Sequence, residues 1–250
     1  MNLGNPIAQG NTAAIYLSGN KIIKVFADYL PDGEAVMEAG KQRLAWEAGL
    51  AVPEILEVTR IDNRQAIVME YIPGDTLGNS LAGDTAGAET YMRIAVETQL
   101  KIHAVKGDGF PSMRDKLASQ IASAGRIGAG QKAFLLEKLS GWKEERSLCH
   151  GDFHLYNIIM CGGEPYMIDW VDASWGDIRA DVCRSFLLYR EVSEELAALY
   201  LRLYSRYGKM DEENILAWMP VIAGARLAEH ISLEQTERLL AIVNEVWESK

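Results

Sequence analysis

The run Cys149-His150-Gly151-Asp152-Phe153-His154-Leu155-Tyr156-Asn157 leads into Ile158-Ile159-Met160, then Cys161-Gly162-Gly163-Glu164, then Tyr166-Met167-Ile168-Asp169. Two apolar triplets around a double-glycine turn predict a short β-hairpin. Asn157 stands just before its first strand and Asp169 just after its second. The open ends of an antiparallel hairpin are neighbours, so an amide oxygen and a carboxylate are brought close together. Such oxygen donors suit Mg²⁺, which takes few protein ligands and completes its shell with water and phosphate oxygens. Asp152 lies on the loop leading in and can face the same spot without being a ligand. Taken singly, Asp152 would cap a turn and Asn157 would start the hairpin through a side-chain–backbone bond. The order of features along the rest of the chain decides against those readings.

Before the hairpin the chain changes character once. Residues 13–17 and 21–26 are β-prone runs separated by Ser18-Gly19-Asn20, a hairpin-type turn. Residues 34–48 are helical in composition, Gly49 suits the position after the helix, and Pro53 blocks continuation. Two more strand-like runs, 55–61 and 66–72, flank Asp62-Asn63. After Pro73-Gly74 the pattern is mainly helical, with helices predicted at 88–105, 113–124, 131–145, 178–190, 193–207, 212–230 and 233–247. The fold class is α+β and bilobal. A small N-terminal sheet lobe with one helix covers 1–72, a hinge lies at about 70–74, and a larger, mainly helical lobe covers 73–250.

Charge narrows the partners. The 250 residues carry 35 acidic and 25 basic side chains, a formal charge of −10. An acidic chain with no basic tract is poorly suited to nucleic acid or an anionic membrane surface. It suits a cationic small molecule better, and no obligate protein partner is evident. Three cysteines, odd in number and without metal-site spacing, fit a reducing cytoplasm. The start, Met1 to Asn11, lacks a charged segment followed by an apolar core, so no secretory signal is expected. No uncharged apolar run approaches the ~18 residues of a membrane span.

His150, Asp152 and Asn157 in H-x-D-x-x-x-x-N spacing, then a hairpin and Asp169, follow the catalytic-loop layout of the protein-kinase-like fold. His-Gly-Asp-Phe-His-Leu-Tyr-Asn, with Ile168-Asp169-Trp170 where protein kinases have Asp-Phe-Gly, resembles the aminoglycoside phosphotransferase family. Choline kinases and other small-molecule kinases are similar. The resemblance runs from Gly10 to about Asp177 and Asp181. It implies transfer of the γ-phosphoryl group of ATP, or alternatively GTP, to a small-molecule hydroxyl with Mg²⁺ held by Asn157 and Asp169. Asp152 would orient the acceptor hydroxyl and accept its proton. Lys24 in Ile22-Ile23-Lys24-Val25-Phe26 would hold the α- and β-phosphates, fixed by Glu38, with Glu34 and Glu47 as weaker rivals. Met69-Glu70-Tyr71-Ile72-Pro73-Gly74 fits the linker, with the Glu70 carbonyl and the Ile72 amide on adenine. Asn11 or Thr12 would meet phosphate oxygens.

Departures from the pattern matter. Gly10-Asn11-Thr12-Ala13-Ala14 stands where protein kinases carry G-x-G-x-x-G. No A-P-E follows Asp169, and there is no room for a long activation loop before Asp181. A protein substrate is therefore disfavoured. An aminoglycoside or another aminated alcohol, drawn by Asp172, Asp177 or Glu229, is the expected acceptor, and a neutral sugar is also compatible. His150 and His103 read as buried scaffold, and His154 stays open. Asp181 would either cap its helix or, by the resemblance, anchor the catalytic loop from below. Two other functions stay in view: a metal-dependent hydrolase using His150, Asp152 and His154, and a nucleotide-binding module that does not catalyse.

Overall fold

A computed structural model describes residues 3–10 and 12–249. In chain order it begins with β1 (Ala8–Gln9), β2 (Ala13–Ser18), β3 (Lys21–Phe26), α1 (Glu34–Glu47), β4 (Ile55–Ile61), β5 (Arg64–Glu70), β6 (Asp75–Thr76) and α2 (Leu77–Gly83). Next come α3 (Ala88–His103), α4 (Met113–Ser123), α5 (Ala129–Gly141), β7 (Ser147–Cys149), β8 (Ile158–Cys161), β9 (Glu164–Met167) and β10 (Ser174–Gly176). The chain finishes with α6 (Ile178–Val192), α7 (Glu194–Gly208), α8 (Glu212–Leu216), α9 (Met219–Arg226) and α10 (Leu233–Glu248). The elements form two units. One takes the chain up to Asp84 together with Leu155–Asp172, and the other takes Thr85–His154 and everything from Ala173 on. The β8–β9 hairpin, far along the chain, thus belongs to the same unit as the N-terminal sheet and pairs there with β6 in a sheet of its own; a contiguous cut at 72/73 does not include it there.

In the first unit the antiparallel sheet runs β1-β2-β3-β5-β4. Alternation along β3 sends Ile23 and Val25 to one face, with Ile61, Ala66 and Val68. Phe26 goes to the other face, with Ile67 and Met69, and there α1 packs through Ala35 and Ala39. The buried stripe of α1 is Ala35, Glu38, Ala39, Gln42 and Ala45, at i, i+3, i+4, i+7 spacing. Alanines let the helix lie close to the sheet, which brings the two polar members within reach of it. Gln42 donates to the Pro53 carbonyl at 2.7 Å. Gln65 closes the start of α1 by accepting from the Gly33 amide at 2.9 Å.

β6 pairs with β8, and Gly74 sits at that approach: a Cβ there would lie 2.0 Å from the Met160 carbonyl oxygen. Only a residue without a side chain fits.

In the second unit α6 packs on α7 and α9, α3 packs on α7, and α4, α5 and α10 surround α9. The short ribbon β7–β10 pairs Cys149 with Ser174, which ties the start of the loop 150–157 to the segment that enters α6. The single helix expected over 212–230 is two helices, α8 and α9. Pro220 is the cause: it has no N–H to give the Leu216 carbonyl, and its ring would clash with that carbonyl in a continuous helix. Trp218 stacks on Trp142 at the break, ring centroids 3.9 Å apart. Trp170 is fully buried. Among the described residues no helix is long and apolar enough to cross a membrane.

The three cysteines are free thiols. Burial pushes Cys149 and Cys183 well above the usual thiol range, while Cys161 on β8 is only partly buried. Two results are expected. Ellman titration of the native protein should show one reactive thiol, Cys161, with Cys149 and Cys183 reacting only after unfolding. Gly74→Ala should lower stability by about 1–3 kcal/mol, read as a drop in Tm by calorimetry.

Candidate functional site

The first unit carries a three-membered ionic cluster. Lys24 points from β3 toward the face that holds α1, and its Nζ lies 2.7 Å from Glu38 Oε1 and 3.4 Å from Asp169 Oδ1. Glu38 is therefore the partner among the three candidate acids. Its side chain is 3% exposed, against 39% for Asp169. Burial alone would pull Lys24 down, but the Asp169 and Glu38 carboxylates outweigh it and raise it above its ordinary value. The same burial pushes Glu38 up, with Lys24 pulling it back.

The predicted hairpin forms as β8–β9. The Ile168 amide donates to the Asn157 carbonyl at 3.0 Å, which closes the open end and holds Asn157 beside the segment bearing Asp169. Asn157 is buried. Asp169 adopts φ +63°, a left-handed conformation uncommon outside glycine. Such backbone persists where its surroundings hold it, and here Trp170 Nε1 on the Met167 carbonyl, at 3.2 Å, helps to hold it. Asn157 and Asp169 offer an amide and a carboxylate oxygen, a donor set that fits Mg²⁺.

The other residues expected on the nucleotide side are less concentrated. Thr12 lies in an exposed bend, its carbonyl accepting from Ala27 N at 2.8 Å, and Asn11 falls outside the described residues. Met69 is buried against α1, so its side chain serves the core. The Glu70 amide donates to the Glu54 carbonyl at 2.9 Å, the Glu70 side chain is exposed, and Ile72 is buried just beyond β5.

The second unit carries Asp152. His154 Nε2 lies 3.4 Å from its Oδ2, and Arg184 Nη2 lies 3.9 Å from its Oδ1. Burial would raise this carboxyl, but the His154 hydrogen bond and the His154, Arg184 and His150 fields outweigh it, holding Asp152 well below the usual carboxylate range. His150 is fully buried, accepts from the Asp152 amide at Nδ1 (3.3 Å) and packs edge-on against Phe153.

Asp181 supports this loop from below. Its Oδ1 accepts from the Gly151 amide at 2.7 Å, and its Oδ2 meets His103 Nε2 at 3.0 Å and Gln99 Nε2 at 3.1 Å. His103 Nδ1 then meets the Tyr204 hydroxyl at 2.5 Å, and Tyr200 donates to Gln99 Oε1 at 2.5 Å. Burial opposes the ionised form of Asp181, yet these bonds hold its pKa down at about 2. The cap of α6 is Asp177, which accepts from Arg179 N at 2.8 Å and pairs with the Arg179 side chain. Asp177 is buried and engaged, which removes it as a surface carboxylate for an amine.

His150, Asp152 and His154 do not gather as a metal cage. Among the described residues one cluster has three potential ligands, His103, Cys149 and Asp181, and it is buried. Both His103 ring nitrogens are engaged there, and burial keeps the Cys149 thiol protonated, so the cluster is a hydrogen-bond node of the scaffold.

The model of the phosphotransferase enzyme family matches residues 5–216. The chain belongs to that family. No curated protein matches it in sequence. Among solved structures, the phosphotransferase is similar in fold to a thermostable mutant of aminoglycoside phosphotransferase APH(4)-Ia, at TM-score 0.72 and 16% identity, covering 96% of this chain and 93% of that one. A choline/ethanolamine kinase family protein from Mesorhizobium loti gives TM-score 0.63 at 17% identity, covering 94% of this chain and 86% of that one. Amicoumacin kinase hAmiN gives 0.64 at 14%, covering 98% and 88%.

Arg184 escaped the sequence reading. On α6 of the phosphotransferase it donates through Nε to the Gly151 carbonyl and through Nη1 to Glu229 Oε1 at 2.6 Å. Its signal was a cation inside the apolar run Val182-Cys183-Arg184-Ser185-Phe186, three residues after Asp181 on the same helix. Asp181 contributes stability that is full above its ordinary value of 3.8 and is lost as pH falls toward its folded value of about 2. Asp181→Asn should therefore lower stability by about 3 kcal/mol at neutral pH, and the loss should shrink in denaturant melts as pH falls from about 5 to 2.

Proposed function

We propose that this phosphotransferase moves the γ-phosphoryl group of ATP, with GTP as an alternative donor, to a hydroxyl of a small molecule. The observation that carries this reading is the Lys24 cluster: one buried ammonium held between Glu38 at 2.7 Å and Asp169 at 3.4 Å. A lysine fixed in this way is a preset partner for phosphate oxygens. A solved structure similar to this chain at 16% identity was obtained as a complex with ADP and hygromycin B, which agrees with nucleotide use.

The residues divide the work. Lys24 orients the α- and β-phosphates, with Glu38 setting its position. Backbone amides near Thr12 and Asn11 meet phosphate oxygens, and Glu70 and Ile72 offer main-chain groups to the base, beside Met69. Asn157 and Asp169 would hold Mg²⁺, which neutralises the charge that develops on the transferring phosphoryl group. Asp152 receives the acceptor hydroxyl as a hydrogen-bond partner. Held below the usual carboxylate range, it is a weak base, so it orients the nucleophile and takes the proton late. That suits a loose transition state, in which positioning and electrostatics dominate.

Asp152→Asn should reduce turnover by on the order of 10²–10⁴ while calorimetry shows unchanged ATP binding. Equal turnover in the variant would overturn the assignment. Because a depressed pKa keeps Asp152 ionised to lower pH, kcat should show no carboxylate limb between about pH 5 and 7. A rise through that range would place the proton acceptor elsewhere.

A further inference from the structure

The side chains behind Asp152 form an alternating ladder of charge. Arg184, 14% exposed, bonds Glu229 Oε1 at 2.6 Å. The other Glu229 oxygen lies 3.4 Å from Nε of Arg226, which is 3% exposed. Arg226 Nη2 lies 2.6 Å from Glu191 Oε1. The other Glu191 oxygen accepts from Gln235 Nε2 at 2.5 Å, and Gln235 Oε1 accepts from the Ser232 amide at 2.8 Å at the start of α10. Both oxygens of Glu229 thus face arginines, while Glu191 accepts a hydrogen bond at Oε2 and has at Oε1 only the charge of Arg226 beside it, with no hydrogen bond. A further cation, Lys116 on α4, lines a small hollow beside Gly151 and Arg184.

A polycationic acceptor needs carboxylate oxygens to replace the water it leaves. Here Glu229 and Glu191 are committed to arginines, which leaves neither carboxylate available to an ammonium group. Much of the ladder (Arg226, Glu229, Gln235) also lies beyond residue 216, where the family match ends.

We propose that the alternating charges of Arg184, Glu229, Arg226 and Glu191 cancel behind Asp152, so that the acceptor side of this kinase selects an uncharged hydroxyl compound, of the polyol or sugar class, over a polycation. The proposal rests on the phosphotransferase reading above. It narrows the aminated acceptor expected from the acidic composition, because Glu229 is spent inside the fold.

The test combines binding with turnover, so that its failure is separable from failure of the kinase reading. Calorimetry with a polycationic aminoglycoside as probe is expected to give wild-type binding weaker than about 1 mM. Arg226→Gln releases one Glu229 oxygen and one Glu191 oxygen, and should tighten that binding on the order of tenfold. Adding Glu229→Gln to Arg226→Gln should reverse most of the gain, which separates charge from altered packing. Micromolar binding by the wild type overturns the proposal, whether or not the variants fold. So does an Arg226→Gln protein with a native circular dichroism spectrum and no gain. In parallel, ATP consumption across neutral polyols, sugars and aminoglycosides should favour a neutral acceptor. A higher kcat/KM for an aminoglycoside overturns the selectivity but leaves the kinase reading intact. Turnover that survives Asp152→Asn overturns the kinase reading instead.

Discussion

The buried carboxylate of Asp181 is the interaction on which the second unit depends. An ionised group without solvent is costly unless hydrogen bonds replace the water it lost. Here the Gly151 amide, His103 and Gln99 replace it, and His103 and Gln99 are themselves held by Tyr204 and Tyr200. Two helices, α3 and α6, and one loop meet at a single side chain, and α7 joins them through the two tyrosines. The Gly151 amide bond also sets where the next residue, Asp152, begins. The buried hydrogen bonds of Asp181 and the position of Asp152 are thus parts of one network, and each bond in it is short enough to leave little slack.

The first unit solves a different problem. Lys24 must stay charged inside a partly buried cluster, yet its partners must not consume all its capacity. Glu38 is buried and fixed by the alanine stripe of α1, whereas Asp169 is substantially exposed and sits on left-handed backbone. One carboxylate anchors the ammonium and the other stands toward solvent, where an oxygen-seeking cation can compete for it. Desolvation raises the stakes at Glu38, and the hairpin hydrogen bond between Ile168 and Asn157 fixes the geometry at Asp169.

Much of this was legible in the residues. The β2–β3 and β4–β5 hairpins, α1 and the β8–β9 hairpin follow from alternation, turn chemistry and helical spacing, which are local properties. Lys24, Glu38, Asn157 and Asp169 could be ordered from the motif because the motif records chain spacing. Other features escaped for physical reasons. The helix expected over 212–230 broke because Pro220 outweighs the composition around it. Arg184 escaped because its partners, the Gly151 carbonyl and Glu229, are far away in sequence on either side. Asp177 and Glu229 read as free acids until the arginines beside them were seen.

The sequence by itself determined the fold class, most of the main elements and the spacing of the candidate residues, since periodicity, turns and spacing act over a few residues. Tertiary structure decided which charges remain available. Whether a carboxylate attracts a ligand or is neutralised depends on what lies within about 4 Å of it, and Coulomb energy at that range is set by folding, not by spacing along the chain. Composition gave an acidic protein; the fold placed two arginines against Glu229 and left Asp152 its hydrogen-bonding role beside His154 and Arg184.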